Sequence, residues 1–306
     1  MPIAAQFSEY GTSDVLRIVD APAPVAGPGQ VRIAVRAVSV NPVDWKILQG
    51  ALQELIRLDL PAGLGSDVAG VVDQVGDGVT AFAVGDEVLG SSSTPSYAQF
   101  ALADPAELVT RPAEVPWEVA GSLAGAGGTA WKVLDLLGVT AGETLLIHAA
   151  AGGVGVFAVQ LAVARGMRVI GTASESNHEL LRSIGAIPVT YGDGLADRVR
   201  AAAPQGVDAV LDASGRGELP VSIELAGGPE RVLTIAAFDA ADHGVRFHLG
   251  GGGQDTIRAI RDILALIEDG RLRLPIWRTY PLTEAAAALD ASQTGHLGGK
   301  IVLLPS

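Results

Sequence analysis

No cysteine occurs in the 306 residues of this chain. Disulfides, thiolate nucleophiles and thiolate-ligated zinc are therefore all excluded. Histidine is scarce as well. The five present, His148, His178, His243, His248 and His296, stand at no spacing that would bring two imidazoles to one metal, so no metal is expected. Basic residues are also few. Against 34 Asp+Glu there are 21 Lys+Arg, a formal charge of −13, and the only lysines are Lys46, Lys132 and Lys300. A surface this acidic repels phosphate backbones and anionic headgroups, so neither nucleic acid nor membrane is an expected partner. Nor is there an uninterrupted apolar run of membrane-span length. The most apolar window, 145–163, carries His148, Gln160 and a cluster of glycines, which suits a strand, a turn and a helix. The opening MPIAAQFSEYG has no basic segment followed by an apolar run, so no leader is expected and the cytoplasm is the default compartment.

What is present is core material. Apolar residues make up 48% and charged residues 18%, enough for two domains or one large one and too apolar for disorder. The first hundred residues have the texture of β-structure. In VRIAVRAV, Val31, Ile33, Val35 and Ala37 alternate with Arg32, Ala34 and Arg36, the period of a half-buried strand. AGVVDQVGDGV and VGDEVLG are short strands with Gly/Asp turns. From Pro116 the texture changes to a helical stretch interrupted by glycine, PWEVAGSLAGAGGTAWKVLDLLG. Then strands TLLIHA, RVIGTA, IPVTY, VDAVLDA and RVLTIAA alternate with helices such as VGVFAVQLAVARG, NHELLRSIGA and GLADRVRAAAP. That βαβα order predicts an α/β fold with a parallel sheet covered on both faces. A last helix, DTIRAIRDILALIEDG, carries Ile257, Ile260, Ile263, Leu264 and Ile267 at helical spacing, and the tail HLGGKIVLLPS ends in a strand.

The junction between TLLIHA and its helix carries the chemistry. Ala150-Ala151-Gly152-Gly153-Val154-Gly155 is the Gly-x-Gly-x-x-Gly fingerprint with alanine in the first place. A bare Gly152 lets a pyrophosphate approach the backbone. Gly155 lets the helix pack closely on its strand. The helix start offers unpaired N–H groups to the phosphates. A dinucleotide site over Ala151 to Gly155 is expected.

These motifs are specific in combination. VSVNPVDWKILQG, GSDVAGVVDQVGDGV, FAVGDEVLG, GGTAW, HAAAGGVG, DAVLDASG and GHLGGKIVL together resemble the zinc-independent quinone oxidoreductases of the medium-chain dehydrogenase/reductase superfamily, over nearly the whole chain. Asn41-Pro42-Val43-Asp44-Trp45-Lys46 resembles the branch that holds enone reductases. The resemblance implies a GroES-like β-barrel lobe from residues 1–116 and 251–306, a Rossmann domain from 117–250, and a site in the cleft between them. The expected assembly is a homodimer. The resemblance also agrees with the cysteine count. Where zinc dehydrogenases of the superfamily place a cysteine and a Gly-His-Glu, this chain has VNPVD and GSDVAG, with Asn41 or a neighbour, and Ser66-Asp67, at the ligand positions. Carbonyl polarisation then falls to hydrogen-bond donors.

NADPH is the expected cofactor. An NAD site places an Asp or Glu about 20 residues past the glycines; here Ala173-Ser174 stand there, with Glu175 slightly late. By resemblance, Ser174, Asn177 or His178, and Tyr191 hold the 2′-phosphate. Ser174 serves equally as a turn residue, Asn177 as a helix N-cap and Tyr191 as core edge. The same resemblance places Asn41, Thr129, backbone at Ala236-Ala237, and Phe247 near the nicotinamide. It implies reduction of a quinone or an α,β-unsaturated carbonyl, with Lys46 and Asn41 as the catalytic candidates. Lys46 is the candidate donor to the developing oxyanion, or else a surface lysine; Asn41 positions nicotinamide or substrate. Asp44 orients Lys46 or caps the turn. Thr129 is near the nicotinamide or an ordinary helix residue. Asp208, Asp212 and His148 are expected to be structural. The alternatives are a pathway-specific enoyl reductase and a non-catalytic NADPH-binding protein.

Overall fold

The computed structural model of the chain describes residues 1–250, 254–295 and 297–305. Eight strands come first: β1 (Ile3–Phe7), β2 (Arg17–Asp20), β3 (Val31–Val40), β4 (Ala62–Gly63), β5 (Asp67–Val75), β6 (Glu87–Ser91), β7 (Phe100–Ala103) and β8 (Leu108–Thr110). One helix, α1 (Pro42–Leu48), interrupts them. The helices α2 (Trp117–Ala120) and α3 (Gly128–Leu137) follow. The alternating part runs β9 (Thr144–His148), α4 (Gly153–Ala164), β10 (Arg168–Ala173), α5 (His178–Ser183), β11 (Ile187–Thr190), α6 (Leu195–Ala202), β12 (Ala209–Asp212), α7 (Leu219–Ala226), β13 (Val232–Thr234), β14 (Arg246–Phe247) and α8 (Gln254–Glu268). The chain ends with β15 (Ile276–Pro281), α9 (Ala285–Thr294) and β16 (Lys300–Leu304).

The first lobe is built on β3. Its Val31, Ile33 and Val35 are buried while Arg32 and Ala34 are half-buried and Arg36 is exposed, the alternation expected of a strand with one wet face. From Ala37 onward every residue of β3 is buried. There the strand is flanked by β5 on one side and by β16 on the other, and the segment around α2 covers its face. A seven-stranded sheet runs β15-β16-β3-β5-β6-β8, with β7 also paired to β3; a second sheet runs β2-β1-β4. The C-terminal tail thus completes the lobe begun by the N-terminus.

The third sheet is wholly parallel, in the order β11-β10-β9-β12-β13-β14. Numbered from β9, that is 3-2-1-4-5-6, the order of a Rossmann sheet. The order reverses between β9 and β12. In such sheets the crevice outside the carboxyl ends of these strands is where ligands bind, and β9 delivers the glycine turn to it. The five expected strands are all present; β14 adds a short sixth.

The helix that follows the boundary expected at 250/251, α8, packs on both lobes. Its apolar stripe lies in a core that also holds Leu89 and Val109 of the barrel lobe. Ile257, Ile260 and Ile263 are buried in one core with Trp131, Leu134 and Leu137 of α3 and with Leu272 and Leu274. That stripe packs against α3 and β8 alike, and the chain rejoins the antiparallel sheet at β15. Residues 251–253, on which the expected boundary falls, lie outside those described, as does His296. The window 145–163 divides into β9, a turn and α4, and no helix among the described residues is long and apolar enough to cross a membrane.

Candidate active site

The glycine turn is pinned before it is used. β9 ends at His148, whose ring is wholly buried between Thr172 and Ser222 (Nδ1 to Oγ1 3.3 Å, Nε2 to Oγ 3.0 Å). Burial lowers its pKa, which suits a neutral, structural imidazole. Ala149 then takes a left-handed conformation, φ 53°. Its N–H donates to Thr172 Oγ1 (3.2 Å), and the N–H of Ala150 donates to the Thr172 carbonyl (3.0 Å). Gly152 caps α4. A Cβ on Gly152 would meet only the Ala149 carbonyl oxygen, at 3.2 Å, so the side on which a side chain would stand is open. At Gly155 a Cβ would come within 2.4 Å of that oxygen and 2.7 Å of the Ala150 backbone, so only glycine fits. The amides that open α4 have no acceptor within the helix and are available to an anion.

Two loops stand beside the turn. After β10, whose last residue Ala173 is buried, Ser174 accepts from Asn177 Nδ2 (3.2 Å) and shares a hydrogen bond with Ser176 (3.0 Å). Glu175 is exposed in this turn, and Asn177 caps α5 without a side-chain bond to its backbone. The Nε2 of His178 is buried and unpartnered. After β11, Arg198 donates to the carbonyls of Thr190, Tyr191, Gly192 and Asp193, which fixes the loop that carries Tyr191.

The loop after β13 is fixed from below. Thr234 Oγ1 donates to buried Asp212 (2.8 Å) and accepts from the N–H groups of Ala236 (3.1 Å) and Ala237 (3.0 Å). Asp212 also accepts from the backbone of Ser214 and Gly215, and Asp208 accepts from Thr144 N, so both aspartates have the expected structural roles. Phe247 on β14 packs against Phe238 with the rings tilted at 44° and their centroids 5.7 Å apart. Thr129 Oγ1 faces the backbone of Gly250, where an added Cβ would lie 2.9 Å away.

The opposite wall is α1. The Nζ of Lys46 lies 4.8 Å from the centre of the Phe238 ring and 5.7 Å from that of Trp45, so the ammonium of one lobe reaches an aromatic ring of the other. It is half-buried, and burial lowers its pKa. Asp44 does not orient it. Asp44 is a helix cap: its carboxylate accepts from Asn41 N (2.7 Å) and from the hydroxyl of fully buried Tyr97 (2.8 Å).

Asn41 is committed to the interior. Its amide nitrogen donates to Ser39 Oγ (3.1 Å) and Asp67 Oδ2 (3.0 Å), and its oxygen accepts from Lys300 Nζ (2.6 Å). Both amide hydrogens are used, which leaves one lone pair on the oxygen for a ligand. Asp67 accepts from Ser39 and Asn41 and, across the lobe junction, from Gly125 N (2.7 Å). Gly125 has to be glycine, because a Cβ would lie 2.7 Å from that carboxylate.

Burial pushes the Asp44 carboxyl up to about 6, against the downward pull of the bonds from Asn41 and Tyr97. The folded form therefore holds this proton more tightly than the unfolded chain does, with its ordinary value of 3.8. The stability that Asp44 contributes is complete below the lower value and is lost as pH rises through the higher one. Urea unfolding between pH 4 and pH 7 should show wild type losing up to about 3 kcal/mol relative to Asp44→Asn over that interval. A difference that stays constant with pH would remove this account.

Comparison with known proteins can now be made. Residues 27–134 match the alcohol dehydrogenase GroES-like domain, and residues 184–303 match the zinc-binding dehydrogenase domain. The rat quinone oxidoreductase is 31% identical over 98% of this chain and 97% of its own. This chain belongs to the quinone oxidoreductase family of the medium-chain dehydrogenase/reductase superfamily. A solved mycobacterial protein in complex with NADPH superposes over 100% of both chains with a TM-score of 0.88, at 30% identity. Another relative, the pikromycin polyketide synthase component of Streptomyces venezuelae, is 37% identical over 94% of this chain. The chain spans only 5–14% of the length of four polyketide synthases that it matches.

The chain gathers most of the sequence-derived candidates in the loops at the carboxyl ends of its parallel strands. The turn from Ala151 to Gly155, Ser174, Asn177, His178, Tyr191, Ala236 and Ala237 all lie there, and Phe247 closes the row through Phe238. Lys46 reaches the same loops from the other lobe through Phe238. Asn41 enters from that lobe too, but with its amide turned to Asp67 and Lys300. The residues that sequence reasoning missed are Ser39, Asp67, Tyr97 and Lys300. One signal was visible. Lys300 is among only three lysines, yet it opens an apolar strand, where a solvated lysine is out of place. Among the described residues no group of three or more His, Asp or Glu is arranged to hold a metal ion.

Proposed function

We propose that this chain is an NADPH-dependent reductase of quinones or α,β-unsaturated carbonyls that works without a metal. The observation that carries the reading is the bare Gly152 at the start of α4, at the strand-order reversal, opposite a half-buried Lys46. The residues fit the cofactor. Gly152 leaves room where a pyrophosphate would lie, and α4 presents free amides there. Ser174, Asn177, His178 and Tyr191 would hold the adenosine end, and the buried unpartnered Nε2 of His178 is a polar atom that a phosphate oxygen would satisfy. Thr129, Ala236, Ala237 and Phe247 would flank the nicotinamide. NADPH, when bound, supplies a hydride. Lys46 would donate a hydrogen bond to the carbonyl oxygen of the acceptor as negative charge gathers on it. Phe238 and Phe247 offer an apolar wall to a planar substrate.

The metal-free part of the reading rests on the donor set. There is no cysteine, and Asn41 and Asp67 are already bound to each other, Asn41 also to the ammonium of Lys300 and Asp67 also to Ser39 and Gly125. Active protein should contain less than stoichiometric zinc by elemental analysis and keep its activity in chelator; zinc at one per chain would sink this part.

Cofactor choice has its own test. Ala173 stands where a carboxylate would select the ribose 2′-hydroxyl, and Glu175 is exposed in the following turn. NADPH should have the higher kcat/KM, and Ala173→Asp should move the ratio towards NADH by about tenfold or more through repulsion of the 2′-phosphate. Better use of NADH by the wild type would assign the ribose to Glu175 instead.

A second reading is favoured by the polyketide synthase relatives, whose identity exceeds that of the rat quinone oxidoreductase. In it the chain is an enoyl reductase dedicated to one pathway substrate. NADPH oxidation measured against a panel of quinones, enals and enones separates the two. Turnover across the panel supports the broad reductase. Inactivity on every simple acceptor supports the dedicated enzyme. NADPH binding with no oxidation on simple acceptors or acyl thioesters would overturn both.

A further inference from the structure

The described residues contain one buried cation that the proposed chemistry does not use. Lys300 opens β16 in the barrel lobe and is 3% exposed. Its Nζ donates to Asn41 Oδ1 (2.6 Å) and lies 3.4 Å from the Val40 carbonyl oxygen. Its stem runs along the other lobe. A Cβ on Gly153, the first residue of α4, would fall 2.9 Å from Lys300 Cδ and 3.6 Å from Nζ. The neighbouring Gly299 N–H donates to the carbonyl of Ala151 in the same turn (3.2 Å). Burial lowers the pKa of Lys300, while the negative charges of Asp67 and Asp44 act the other way and favour the ammonium. A buried ammonium is costly unless it is paired, and this one is paired in the wall of the cleft, directly behind the glycine turn.

We propose that Lys300 is a positioning residue for the dinucleotide: its ammonium holds the Asn41 loop of one lobe in register with the glycine turn of the other. Three consequences follow from the geometry. The Asn41 amide has one orientation, because its oxygen is held by Lys300 and its nitrogen by Asp67 and Ser39. The first turn of α4 has a fixed distance to the barrel lobe through Gly153 and Ala151. The N-terminal end of α4 also gains a positive charge close behind it, in a protein whose net charge of −13 would otherwise disfavour an anion. The inference rests on the reading of this cleft as an NADPH site.

The test is direct titration of NADPH binding by fluorescence, without turnover. Lys300→Met keeps an apolar stem and removes the charge. It should weaken NADPH affinity by about tenfold or more, the scale of one lost charge-assisted hydrogen bond, while KM for the acceptor at saturating NADPH stays within about twofold. Lys300→Ala should be equally weak and should recover affinity in ethylammonium but not in ethanol, because only the former restores the cation. An unchanged affinity in Lys300→Met, or recovery in ethanol as readily as in ethylammonium, would reduce Lys300 to packing and overturn the proposal. Wild-type protein supplies a measurement that does not depend on a variant folding. On NADPH binding, amide hydrogen exchange should slow at 299–304 as well as at 149–156. Protection confined to 149–156 would overturn the coupling of the lobes. A wild type that binds no NADPH would bring down the cofactor reading together with this one, whereas a binding wild type with an equally binding Lys300→Met brings down this one alone.

Discussion

Gly152→Val is expected to fold as wild type does and to bind NADPH at least about 100-fold more weakly, a loss of about 2.7 kcal/mol. The two halves of that outcome come from the same geometry. A Cβ at Gly152 meets nothing closer than the Ala149 carbonyl oxygen at 3.2 Å, and the backbone there is extended, φ −75° and ψ 174°, which valine adopts without strain. The branched side chain then occupies the space through which a pyrophosphate would reach the amides of α4. Gly155→Ala gives the contrast. There the methyl collides with backbone atoms at 2.4–2.7 Å that cannot rotate away, so the variant should lose about 3 kcal/mol of stability, the upper end for overpacking. Thermal unfolding and NADPH titration of both variants decide the matter. A Gly152→Val protein with undiminished affinity would remove the cofactor from this turn.

Lys46→Met should lower kcat and kcat/KM together, by about 100-fold, with NADPH affinity nearly unchanged. The parallel loss is the signature of an interaction made only in the transition state. Methionine keeps the apolar body that packs against Trp45 and Phe238, so the change removes a charge and little volume. Lys46 lies against Phe238, in the loop that follows β13 and its hydroxyl-bound Ala236 and Ala237, which places the ammonium at the lip of the cleft between the lobes. Steady-state kinetics with a saturating acceptor, together with NADPH titration, separates three outcomes. If affinity falls as well, Lys46 positions the dinucleotide. If neither quantity moves by more than about twofold, Lys46 is a surface cation and the catalytic assignment is withdrawn.

Much of the site was legible in the sequence because its signals are local. A strand, a glycine turn and a helix within the 21 residues from Thr144 to Ala164 mark a candidate anion site by backbone alone, and the open side of Gly152 and the crowded side of Gly155 are compatible with the two duties the fingerprint assigns. The alternation of Val31, Ile33 and Val35 gave the buried face of β3, and the βαβα order gave the parallel sheet. The absence of cysteine, and the Asn and Asp where ligands would stand, spoke against zinc with no need of coordinates. What the sequence did not contain is which distant segments meet. The ranges 39–44, 67, 97, 125 and 300 are far apart along the chain, and only the antiparallel pairing of β16 with β3, and of β3 with β5, brings Ser39, Asn41, Asp67 and Lys300 into one buried cluster. The same long-range packing turned Asp44 from a candidate partner of Lys46 into a cap bonded to Tyr97, and it seated α8 on α3 and β8. Local pattern fixes backbone conformation and charge type, since these depend on neighbours a few residues away. Hydrogen-bond partners and burial depend on closures over tens to hundreds of residues, and those were decided only when the three sheets formed.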